Sequence, residues 1–190
     1  MGMTVNRRKD VRTARVLMHR IADIRGGVSV KASELGGDFL NEGAVLSAPD
    51  AAGLCHVIKV AQVVEDVTAS GKAIKVAKGH NFVKGDFVMV SEGSVAYEIS
   101  SIDGSNATYD LVTVGTTLGA IAKGGFIVEA AAKSTGTDSA LKYVPFAING
   151  TGKNFLPSAN LDTDAWVMAV TKGNALPEFI SAKLKGIVNY

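Results

Sequence analysis

The stretch from Gly71 to Glu129 constrains the fold most, because short β-type runs alternate in it with turn residues. In its first run, Ile74 and Val76 share one face and Lys75 points to the other. Turns rich in Gly, Asn, Asp and Ser separate the runs, whose starts recur roughly every 10–15 residues, a spacing typical of all-β meanders. We therefore predict a mainly β protein with a single β-barrel or sandwich-like body.

The rest of the chain fits the same fold class. The 190 residues include 21 Gly but only 4 Pro, which favours many tight turns between short strands over disorder. Further strands are expected at 28–31, 54–64 (one bulged strand or two strands with a bend), 144–148 and 165–170. Pro145 predicts an edge-type strand, since proline cannot donate to a ladder. Residues 34–50 are expected to form a long loop.

The N-terminal segment differs from the rest in charge. Residues 1–25 contain seven Lys or Arg against Asp10 and Asp23, a net +5, so the remaining 165 residues sum to −3. Between Asp10 and Ile24 the apolar residues mix two periods. They predict either a short amphipathic basic helix or an extended arm that lies on a neighbouring subunit. We accordingly divide the chain into a basic arm, residues 1–27, and a β-rich body, residues 28–190.

The basic arm is the one segment whose charge pattern indicates binding. It can anchor the chain in an acidic groove of a protein, contact nucleic acid through phosphates, or simply be a solvated arm. We favour the protein partner, because no aromatic residues are interleaved with the cations for base stacking. The expected anchoring residues are five arginines: Arg7, Arg8, Arg12, Arg15 and Arg20.

No residue pattern indicates catalysis, a metal or a cofactor, so we expect a non-enzymatic protein. Cys55 and His56 are adjacent in a predicted strand, so their side chains should point to opposite faces, a buried Cys and an outward His. His80 is expected to be a solvated turn residue. The spacings of zinc ligands do not occur. No apolar run is long enough to span a membrane, and no secretory signal is expected.

Several motifs resemble a known family. Residues 37–53 (GDFLNEGAVLSAPDAAG), 56–61 (HVIKVA) and 78–88 (KGHNFVKGDFV) are similar to head fibre and capsid decoration proteins of tailed phages, of the type found in phages and prophages of Bacteroides-like gut hosts. The resemblance extends over roughly residues 37–129.

The resemblance implies a structural virion protein, made in the host cytoplasm and seated on the capsid exterior. Its partners would be the major capsid protein and itself, as a homotrimer or another homo-oligomer. The loop at residues 34–50 would be a second contact beside the arm. Two other hypotheses about the function stay open: a small β-barrel module that binds nucleic acid through the arm, and a β-rich hydrolase. For the hydrolase the sequence offers no plausible catalytic constellation.

Overall fold

The computed structural model describes residues 15–190. Strands hold 41% of the residues and helix 4%, which confirms the prediction of a mainly β protein. Among these residues, one short α-helix, α1, covers Glu178–Ser181, and a single turn of 3-10 helix covers Ala32–Glu34. In chain order the strands are β1 (Leu17–Asp23), β2 (Val28–Val30), β3 (Phe39–Leu40), β4 (Val45–Ser47), β5 (Leu54–Cys55), β6 (Val60–Gln62), β7 (Ala73–Ala77), β8 (Phe87–Met89), β9 (Ala96–Asp103), β10 (Tyr109–Val114), β11 (Phe126–Ala130), β12 (Pro145–Asn149), β13 (Lys153–Asn154), β14 (Leu161–Thr163), β15 (Ala165–Thr171) and β16 (Ile187–Asn189).

A six-stranded antiparallel sheet contains the stretch that dominates the sequence. Its strand order is β6-β11-β8-β9-β10-β7. The sheet curls until Val63 forms an isolated bridge with Val76, and the next residue, Val64, donates its N–H to the carbonyl of Lys75 at 3.0 Å. This pairing covers too few residues to close the described strands into a barrel. Apolar side chains fill the inside of the curl, among them Ile74, Val76, Ile99, Val112 and Ile127.

A second sheet is built around β15. Its path is β1-β15-β12-β4, and β16 adds to β15 in parallel. β1 runs antiparallel along one side of β15. On the other side, β12 pairs with the start of β15 and β16 pairs with its end. Two small sheets, β14-β2-β5 and β13-β3, complete the body.

The two large sheets pack on each other through a shared apolar core. Val128 of β11 and Ile58, just before β6, enter it from the six-stranded sheet, and Val45 and Ile148 enter it from the second sheet. Ile180 of α1 closes the same core and is fully buried. A sandwich-like body, one of the two predicted forms, therefore fits the structure.

Two strand predictions are refined by the structure. The run at 54–64 contains two strands, β5 and β6, which was one of the two predicted forms. Pro145 lies in β12, an interior strand, but its end of β12 pairs only with β4. Pairing with β15 begins at Ile148, so the missing N–H of the proline leaves that ladder intact.

The loop predicted at residues 34–50 is more ordered than expected. It contains β3 and β4, and all three residues of β4 are buried. The apolar residues of this segment are scattered because they pack in two different cores. Leu46 packs in the core beside the small sheets, and Val45 packs in the core between the two large sheets.

The helix predicted between Asp10 and Ile24 is wrong for residues 17–23, which form β1. The physical reason is tertiary pairing, because β1 pairs with β15 from Leu17 to Asp23 and this outweighs a mixed local period. β1 is thus part of the second sheet, although the boundary expected at residue 27 assigned it to the arm.

Candidate functional site

β1 lies at the edge of the second sheet and is largely exposed. Among the described residues it pairs only with β15, and five of its seven residues are exposed. They include the apolar Met18 (40% exposed) and Ile21 (61%). A depression of about 420 Å³ lies beside the strand. We name this region the β1 surface and define it by Arg15, Met18, Arg20, Ile21, Glu42, Gly150 and Thr151.

Glu42 fixes the start of β1. Its Oε1 accepts hydrogen bonds from the backbone N–H of Val16 at 2.9 Å and of Leu17 at 2.7 Å. The next residue, Gly43, has a φ of 81°, and a Cβ there would come within 2.5 Å of the Val16 side chain. Only glycine allows this close approach. The predicted contact loop and the basic segment therefore meet at one place.

Arg20 lies across the face of the second sheet. Its guanidinium is 5.3 Å from the ring centroid of Trp166 and donates to the carbonyl oxygen of Gly150 at 3.1 Å. Trp166 is held in turn, since its Nε1 donates to Asp164 Oδ2 at 2.9 Å. A Cβ at Gly150 would collide with Trp166 and Asp164. Arg20 thus presents an oriented cation that remains exposed.

The predicted anchoring residues fall into two groups. Arg7, Arg8 and Arg12 lie outside the described residues. Arg15 and Arg20 are exposed and both line the depression at the β1 surface. Sequence reasoning missed the exposed Met18 and Ile21, because it placed both on the apolar face of a helix. In the strand, Met18 lines the same depression as Arg20, and Ile21 is the next exposed residue after Arg20.

The prediction of an outward His56 is wrong. His56 is buried, and its ring stacks on Tyr143 with 4.1 Å between centroids. Its Nδ1 is 2.9 Å from Glu34 Oε2 and its Nε2 is 3.3 Å from Asp50 Oδ2. Both ring nitrogens are therefore occupied by carboxylates. The adjacent Cys55 is buried in the core beside the small sheets, so the prediction of a buried Cys is confirmed.

His80 also differs from the prediction, since it is buried and not solvated. Its Nδ1 accepts the backbone N–H of Phe82 at 3.0 Å, which closes the turn. Its Nε2 is 3.3 Å from Asp110 Oδ2 without hydrogen-bond geometry. Burial lowers the pKa of His80, although Asp110 acts against this. The side chain lines a cleft of about 330 Å³ that also reaches Glu42.

Residues 15–190 contain no cluster of three or more His, Cys, Asp or Glu side chains suited to a metal ion. They also contain no helix with the length and apolar character needed to cross a membrane.

The chain was compared with protein-family models, with curated proteins and with solved structures, and none of the three comparisons finds a match.

Proposed function

We propose that the protein is a non-enzymatic capsid decoration or head-fibre protein of a phage virion, and that the β1 surface and the basic residues before it bind the major capsid protein. The observation that carries the proposal is the position of β1. A strand with exposed apolar side chains and the exposed Arg20 lies at the edge of a sheet, next to the segment at residues 34–50 that is expected to be a second contact.

An exposed strand edge supports a binding role on physical grounds. It offers backbone N–H and C=O groups that another chain can pair with, and proteins usually shorten, cover or charge such edges. β1 has seven residues, and its exposed Ile21 adds apolar area to the polar edge. Arg15 and Arg20 would give charge complementarity to an acidic partner.

Binding to shells assembled from the major capsid protein of the same genome tests the proposal by co-sedimentation. A chain that lacks residues 1–14 loses Arg7, Arg8 and Arg12 and keeps β1. We expect it to fold and to lose most of its binding. Full binding by this truncated chain would contradict anchoring through the arm.

A second variant tests the β1 surface itself. Arg15→Glu combined with Ile21→Glu reverses one exposed charge and adds another at an exposed apolar position, so binding should fall at least tenfold. Lys123→Glu combined with Leu156→Glu makes the same changes at exposed positions elsewhere and should bind normally. Equal binding by the two double variants would argue against the β1 surface.

The alternative function is nucleic-acid binding by the same arginines. It predicts a mobility shift with DNA or RNA that weakens steeply as salt is raised, because phosphate contacts release counterions. Such a shift, without binding to shells, would replace the decoration proposal.

A further inference from the structure

A buried group of charged side chains lies in the six-stranded sheet, away from the β1 surface. Lys59 immediately precedes β6, Asp86 immediately precedes β8, and Glu129 lies in β11 between these two strands. The side chains of Lys59 and Glu129 are each 1% exposed and that of Asp86 is 8% exposed. Three neighbouring strands thus bring one amine and two carboxylates together inside the protein.

The amine is in contact with both carboxylates. Lys59 Nζ lies 2.6 Å from Asp86 Oδ2 and 3.2 Å from Glu129 Oε1. Lys142 Nζ, at the rim, donates to the same Glu129 oxygen at 2.8 Å. The other oxygen, Glu129 Oε2, is buried and has no hydrogen-bond partner among the described residues. An unpartnered buried oxygen is costly for an ionised carboxylate and is more easily accommodated when the group carries a proton.

The surroundings favour proton transfer within this group. Burial raises the pKa of Glu129, although Lys59 and Lys142 act against this. Such a carboxylate can accept a proton from a neighbouring ammonium and give it up again. An amine that has lost its proton is a nucleophile, and of the two carboxylates the Asp86 oxygen lies nearer to Lys59 Nζ. A purely structural ion pair gains little from such burial, because desolvation offsets much of the attraction.

We propose that Lys59 and Asp86 form an intramolecular amide bond, with Glu129 as the catalytic residue that carries the proton. Proton transfer from the ammonium within the group leaves a neutral amine and a neutral Asp86 carboxylic acid. Lys59 Nζ then attacks Cγ of Asp86, and Glu129 moves a proton from nitrogen to the departing oxygen. The C–O bond breaks, the N–C bond forms, and one water leaves. Ammonium and carboxylate become amide and water, so no other reactant is required.

The backbone supports this step at the reacting carbon. The N–H of Val83 donates to Asp86 Oδ2 at 2.8 Å. In the tetrahedral intermediate this oxygen would gain negative charge, and a fixed donor stabilises it. Lys142 is a positioning residue, because it holds Glu129 through Oε1 and does not contact the reacting atoms.

The intact mass of the purified full chain under denaturing conditions tests the proposal. We expect a mass about 18 Da below that of the sequence, the loss of one water. Proteolytic mapping should then give a branched peptide that joins Lys59 to Asp86. A folded chain with the full sequence mass would overturn the proposal and leave an ionic cluster.

Three variants assign the roles. Lys59→Arg keeps the positive charge but cannot form this amide, so it should show the full mass. Glu129→Gln keeps the shape of the side chain but cannot carry the proton, and it should convert at least a hundredfold more slowly. Lys59→Met removes the amine and places an apolar chain in the buried site. It serves as a second control that cannot form the amide if the arginine variant does not fold. The same mass loss in either lysine variant would overturn the assignment.

Discussion

Asn81 connects the turn before β8 to the segment at residues 34–50 through side-chain hydrogen bonds. It is the only residue other than glycine among the described ones with positive φ, 58°. Its Nδ2 donates to the carbonyls of Gly36 at 2.9 Å and Phe39 at 3.1 Å. Asn81→Ala removes both hydrogen bonds and leaves alanine with an unfavourable φ. We expect the free energy of unfolding to fall by about 2–3 kcal/mol in urea denaturation.

Glycine at the same position separates the two causes. Asn81→Gly loses the same hydrogen bonds but accepts positive φ without strain, so it should be less destabilised than Asn81→Ala. If alanine proves the more stable of the two, the backbone at residue 81 does not hold this conformation in solution.

Glu34 predicts a change of stability with pH. Burial alone would raise its pKa, but hydrogen bonds from Lys31, His56 and Tyr143 outweigh burial and lower the pKa to about 2. A carboxylate with a depressed pKa stabilises the fold fully above its ordinary pKa of about 4.5 and loses this effect as the pH falls towards 2. Glu34→Gln should therefore be less stable than the wild type at pH 7 by about 2 kcal/mol.

The measurement is urea denaturation of both proteins between pH 2 and pH 7. The difference between them should shrink as the pH falls from 4.5 towards 2, since Glu34 then takes up a proton in the unfolded chain before it does so in the folded one. A difference that stays constant over the whole range would show that the charge of Glu34 is not responsible.

At the scale of elements, β1 determines how the N-terminal segment can be shortened. Removal of residues 1–25 deletes β1 and exposes one side of β15, so we expect a loss of several kcal/mol of stability or an insoluble chain. Removal of residues 1–14 leaves every pairing of β1 with β15 in place. Thermal melting of the two truncated chains distinguishes them, and equal melting temperatures would contradict the role of β1 in the sheet.

The elements that sequence could predict are those whose pattern is local. In β7, Ile74 and Val76 are buried as the alternation predicted. β1 could not be recognised, because its exposed apolar and basic residues carry no alternation and its stability comes from β15, about 150 residues later. The buried positions of His56 and His80 were missed for the same reason. Their partners lie far along the chain: Tyr143 lies just before β12, and Asp110 lies in β10.

The candidate site was predictable only in part. Charge counting found Arg15 and Arg20, since clustered cations are visible in a sequence. It could not show that Arg20 lies over Trp166 or that Glu42 binds the backbone of β1. These contacts depend on strand order, which the sequence did not reveal.

For the whole molecule, the proposed function predicts self-association. The resemblance to capsid decoration proteins implies a homotrimer, so we expect a particle about three times the 19.7 kDa of the chain, with the β1 surface left free for the capsid. Light scattering during gel filtration measures this mass. A monomer at every concentration would count against a homotrimer and favour a small binding module.

The first and last strands of the described residues also determine how the body responds to mechanical force. Leu17 of β1 and Asn189 of β16 both lie opposite Thr171, on the two sides of β15. The chain therefore enters and leaves the second sheet at the same corner. A pull applied through residues 16 and 190 would break the hydrogen bonds of β1 and β16 with β15 one after another, starting at this corner. The body should consequently open at low force from this corner, while the six-stranded sheet stays folded.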